Sequence, residues 1–175
     1  MEQKIALVLR ALHLGDLLVA VPALRALRGS LPEHRIVLAT HGSLAPLVER
    51  IGAVDALLPT AAPAELAWPG PAPDVAVNLH GTGPQSHRAL DALAPRRRIG
   101  FRAPGWDGPT WDDVAARNPH ERERWCALLA AHGIPADPAD LRLPRPGDVR
   151  HMSPESRDSR AIGGSRLVGQ RRSEC

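Results

Sequence analysis

The sequence predicts an α/β fold: a doubly wound parallel sheet with helices on both faces. Two observations carry it. Short, continuous apolar runs rich in β-formers recur along the first hundred residues, and between them lie segments whose apolar residues repeat at helical spacing. The bulk composition agrees, because 43% hydrophobic and 23% charged residues over 175 positions suit one domain with a packed core.

The elements follow in order. IALVL at 5–9 is the first strand, buried on both faces. Leu17, Leu18, Val21, Leu24 and Leu27 then mark a helix, which Pro22 must kink or fray at its first turn. RIVLAT at 35–40 is the second strand; Ser43 caps a short helix that Gly52 ends. VDALLP at 54–59 is the third strand and, after a Pro/Ala-rich loop at 60–73, DVAVNL at 74–79 is the fourth. QSHRALDAL at 85–93 is helical, and RRIGF at 97–101 makes a fifth strand. Asn118, Pro119 and Glu121 read as N-cap, N1 and N3 of a last helix that closes at Gly133. From about residue 146 the chain becomes rich in Arg, Ser and Gly with no apolar period, so 1–145 is expected to be the domain and 146–175 a disordered tail. There is no internal repeat.

In such folds ligands meet the loops beyond the carboxyl ends of the strands, here residues 10–16 and 80–85. Asp16 is the one carboxylate in the apolar stretch LRALHLGDLLVAVPALRAL. Locally it reads as a helix N-cap, accepting backbone N–H bonds at the positive end of the helix dipole. The same position faces the ligand crevice, where an ionised carboxylate is a general base. Both readings stay open on local grounds. Gly15 stands alone, so neither a dinucleotide fingerprint nor a P-loop is present, and its role is to let backbone or ligand pass close by. His80, Gly81, Thr82 and Gly83 form a polar turn after a strand, either a binding loop or an ordinary turn.

Other chemistries lack support. His80, His87, His120, Cys126 and His132 have no metal-ligand spacing, and no nucleophile elbow or activated cysteine occurs. The four tryptophans read as packing residues. A net charge of +3 comes with a single lysine, scattered arginines and only 3% aromatics, which argues against nucleic acid as a partner. Cys126 and Cys175 make no disulfide framework, and MEQKIALVLR has the shape of neither a signal peptide nor a membrane span. A soluble protein of the reducing cytoplasm is expected.

Arg10, Gly15, Asp16 and Pro22 in LRALHLGDLLVAVPALRALR, followed by VNLHGTGPQSHRAL and HERERWCALLAAHGIP, resemble the N-terminal half of glycosyltransferase family 9 over residues 3–145. That family includes the ADP-heptose:lipopolysaccharide heptosyltransferases of cell-envelope glycan synthesis. The resemblance implies a GT-B architecture of two Rossmann-like domains, the first taking the acceptor and the second the nucleotide-sugar donor. It also implies inverting, metal-free transfer to a glycan or glycolipid acceptor, with no cofactor. Residue by residue, Asp16 matches the catalytic base, and Arg10, His13, Gly15, His80 and Gly81 match acceptor-side positions. Leu12 and His13 replace small hydroxylated residues, and Asn78 replaces a frequent acid, so the acceptor need not be a lipopolysaccharide core.

After the linker-like LPRPG at 143–147, residues from Asp148 onward lack the strand and His-Pro-Gly turn of a donor domain, as a truncated or frame-shifted gene would produce. The chain alone is therefore expected to be the acceptor-binding half and inactive, completed by a separate donor-domain chain or prone to self-association. The alternative is a non-catalytic α/β module that binds a sugar or nucleotide, or a folded remnant.

Overall fold

A computed structural model describes residues 3–118 and 120–145. Five parallel strands, β1 (Ile5–Leu9), β2 (Arg35–Thr40), β3 (Ala56–Pro59), β4 (Val75–Asn78) and β5 (Arg97–Ile99), form one sheet in the order β3-β2-β1-β4-β5. Among the described residues six α-helices accompany them: α1 (Leu14–Val19), α2 (Val21–Ser30), α3 (Ala45–Ile51), α4 (Pro84–Asp91), α5 (Trp111–Arg117) and α6 (Glu121–Ala131). The expected doubly wound α/β fold is what forms.

Strand side chains alternate between two cores, as the period of two requires. Ala6 and Val8 of β1 lie in register with Ile36 and Leu38 on one side and Val75 and Val77 on the other, all facing the core under α2, α3 and α6. Leu7, Leu9, Val37, Ala39 and Ala76 face the opposite core, which Leu90 of α4 and Trp106 close. With both faces covered, β1 and β2 read as continuous apolar runs. Leu17, Leu24 and Leu27 are fully buried, each stabilising the fold by about 1.5–3 kcal/mol. The tryptophans pack as expected, Trp106 and Trp125 inside and Trp111 against Phe101 and Trp125.

Several local expectations need correction. The segment after β1 is not one kinked helix but two, parted at Ala20, because Pro22 has no N–H and its ring opposes the Leu18 carbonyl. Ser43 does not cap α3: it sits inside a single 3-10 turn at Gly42–Leu44, and α3 starts after Leu44. Gly52 does end α3, in the left-handed conformation (φ 68°) that glycine favours.

Asn118 does not open α6. Thr110, accepting from the Asp113 N–H at 3.2 Å, starts an additional helix, α5, which Asn118 closes with its amide on the Val114 carbonyl at 2.9 Å. The start of α6 moves to His120, making Glu121 its first residue; Pro119 lies outside the described residues, as does the expected tail at 146–175. Past α6, Arg25 reaches Asp140 and the Arg142 carbonyl, and Arg50 the Pro144 carbonyl, so the chain stays docked to the domain up to there.

Candidate functional site

The strand order reverses between β1 and β4. The chain winds outward from β1 to β3, crosses back through residues 60–74, and lays β4 against the other side of β1. A crevice opens at such a switch point, between the turn after β1 and the turn after β4. Both loops singled out in the sequence meet there.

Asp16 is the third residue of α1, not its N-cap. Its carboxylate accepts the His13 N–H at 3.0 Å, the return half of a capping box, and this orients the acid at the helix start. The carboxylate is half-buried, and among the described residues no cation forms an ion pair with it. Cap and candidate base are thus compatible in one side chain. Gly15 is exposed, and a Cβ added there would meet nothing within 4 Å, so no backbone passes close and the fold itself does not demand a glycine.

The turn after β4 is fixed from below. Buried Asn78 accepts the His80 N–H at 3.1 Å and donates to Ser86 at 3.0 Å; Ser86 in turn donates to the Gly83 carbonyl at 2.9 Å. Gly81, at φ 152°, supplies a backbone conformation that other residues rarely adopt. His80 is half-buried, and its buried Nδ1 has no hydrogen-bond partner among the described residues. Burial pushes the imidazole below its ordinary value of 6.5; the Arg10 charge pushes the same way, while Asp16 opposes both.

Arg10 occupies a different place from the acceptor-facing one expected. It is 0% exposed, with its guanidinium on the carbonyls of Asp16 and Leu79 and on the Glu121 carboxylate. Burial opposes its charge, whereas the hydrogen bond and charge of Glu121 and the charge of Asp16 support it. His13 is exposed, its ring stacked on His41 with centroids 5.6 Å apart. Leu14 and Leu18, one turn apart on α1, are 54% and 37% exposed, an apolar rim beside Asp16.

Sequence reasoning missed Glu121, Trp125 and His41 as neighbours of this site. Glu121 was legible only as a helix-start acid, because its partner lies 111 residues away. Asn78 carried a signal, a polar residue ending an apolar strand. His87 is buried beneath the turn after β4, its ring within 3.2 Å of the Gly83 and Phe101 carbonyls and edge-on to Trp106, while His132 lies against Gly100. Among the described residues no group of three or more His, Cys, Asp or Glu could hold a metal ion. Burial pushes the Cys126 thiol up to about 11, aided by Asp137 and Glu123, so it is no activated nucleophile. No helix among the described residues is long and apolar enough to cross a membrane.

No family model and no curated protein matches the chain. Among solved structures, it is similar to the crystal structure of the glycosyl transferase family 9 from Veillonella parvula DSM 2008. The TM-score is 0.54 at 15% identity, over 80% of this chain and 43% of that one. The likeness is one of fold. The chain therefore spans less than half the length of the structure it matches.

Proposed function

We propose that the chain is the acceptor-binding half of a family 9 glycosyltransferase, with Asp16 as general base in an inverting transfer. The observation that carries this reading is a half-buried carboxylate at the switch point, held by its own turn and in no ion pair among the described residues, in a domain whose fold neighbour is a glycosyltransferase. In the reaction an acceptor hydroxyl attacks the anomeric carbon of a nucleotide sugar, the bond to the diphosphate breaks, and the hydroxyl proton passes to Asp16. Proton transfer comes late, once bond formation has acidified the hydroxyl.

His80, whose Nδ1 has no hydrogen-bond partner among the described residues, supplies a second hydrogen-bonding group for the acceptor. Gly15 and Gly81 leave room for the sugar, and His13 contributes at the rim. The donor sugar nucleotide belongs to a second domain, and most of the rate comes from positioning donor against acceptor.

Titration of the chain with a panel of glycans and glycolipids, and separately with ADP, UDP and GDP, tests the reading. Saturable glycan binding that Asp16→Ala weakens, with no nucleotide binding, supports it. Nucleotide binding with no glycan response would instead establish a non-catalytic nucleotide-binding module.

A further inference from the structure

Arg10 follows β1 directly and is wholly buried, yet its guanidinium serves three elements at once. Nε donates to the Asp16 carbonyl at 2.6 Å, one terminal nitrogen to the Leu79 carbonyl, and the other to Glu121 Oε1 at 2.8 Å. The Leu79 carbonyl belongs to the peptide unit whose nitrogen is that of His80. One rigid planar fork therefore grips the backbone of the Asp16 turn and the backbone of the His80 turn together.

The fork is itself held. Glu121 Oε1 also accepts the Trp125 indole N–H at 3.1 Å, and the Trp125 ring lies 4.8 Å from the guanidinium carbon. Arg10 is wholly buried while the Glu121 side chain is 37% exposed; taking a charge out of water against a partly solvated partner is a poor source of stability, so geometry is the better reason for burying it here.

We propose that Arg10 is a positioning residue: braced by Glu121 and Trp125 of α6, its fork sets the spacing between the Asp16 carboxylate and the His80 imidazole. The proposal rests on reading Asp16 and His80 as parts of one ligand site. Its test reads those two side chains without any ligand, so it fails or stands separately from the glycosyltransferase reading.

The measurement is the NMR titration of the His80 imidazole in the full chain, assigned with His80→Gln. The charged groups acting on that ring are Arg10, from the end of β1, and Asp16, from α1. Because Asp16 raises the His80 midpoint, Asp16→Asn is expected to lower it, and the size of that shift reports how close the two side chains are held. In a Glu121→Ala background at least half of the shift is expected to vanish. In Glu121→Gln, which still accepts from both Arg10 and Trp125, the shift is expected to persist. If Glu121→Ala does not fold, Glu121→Asp, too short to reach both donors, is read by the same criterion. A full-sized shift in Glu121→Ala, an equal loss in Glu121→Gln, or no effect of Asp16→Asn on His80 in the parent chain would each overturn the proposal. A purely structural Glu121 would change the melting temperature and leave the coupling intact.

Discussion

The two ends of the sheet use their acids differently. At the amino end, Asp55 and Asp74 stand just before β3 and β4, and their carboxylates accept the N–H groups of Ile36 and Ile5 in the neighbouring strands at 2.7 and 2.9 Å. Each also pairs with an arginine, Arg28 for Asp55 and Arg96 for Asp74. At the carboxyl end, Asp16 takes one N–H from its own turn and no ion-pair partner among the described residues. An acid that staples two strands is consumed by the fold; an acid held only by its own helix start keeps capacity for something else. The hollow of about 170 Å³ at the amino end follows the same division, since its charged walls are already paired, Lys4 with Glu33 at 3.2 Å and Arg96 with Asp74 at 3.4 Å.

The comparison breaks first at Arg10, where the carboxyl end is structural. Arg10→Met should lower stability by about 2–5 kcal/mol, because it strands the Asp16 and Leu79 carbonyls, at about 1–3 kcal/mol each, while the partly exposed Glu121 carboxylate turns to water. Chemical denaturation of the parent and of Arg10→Met at equal protein concentration checks it. Next comes the amino end: Asp55→Ala should cost about 1–3 kcal/mol by stranding the Ile36 N–H. At about 2–4 °C per kcal/mol that loss is visible in a thermal melt.

Asp16→Asn should cost less than about 1 kcal/mol, since the asparagine oxygen still accepts the His13 N–H, while any acceptor binding falls at least about tenfold. Equal losses of stability and binding would place Asp16 with Asp55 and Asp74.

The smallest effect is a slope. The folded His80 has a lowered pKa, so the folded state prefers the neutral ring and binds fewer protons than the unfolded chain once pH drops below 6.5. Stability from this residue is therefore present above 6.5 and lost as pH falls from there toward the folded value. The difference in melting temperature between the parent and His80→Gln should change across that window and be flat above it.

Much of this was legible in the sequence. IALVL and RIVLAT are apolar without interruption because β1 and β2 are buried on both faces, and that local signal carries the topology. The crevice loops followed from the βα alternation alone. Helix starts were harder: Thr110 with Asp113 three residues on is the cap of α5, whereas the Asn118 and Glu121 signature pointed to a start two residues too early, because Asn118 ends α5 and His120 takes the cap position of α6. Asp16 was readable as a residue that matters yet not as N3, because only the fold shows that His13 takes the cap position. The burial of Arg10 was not readable, since its partners Leu79 and Glu121 come from loops and helices far along the chain.

The most direct measurement is a map of amide chemical-shift changes as the labelled chain is titrated with a panel of glycans. If the carboxyl end is the ligand site, the changes cluster at residues 12–16 and 80–83, leave Asp55 and Asp74 unmoved, and disappear in Asp16→Ala. Changes centred on the hollow between Lys4, Asp74 and Arg96, or changes that Asp16→Ala leaves intact, would contradict it.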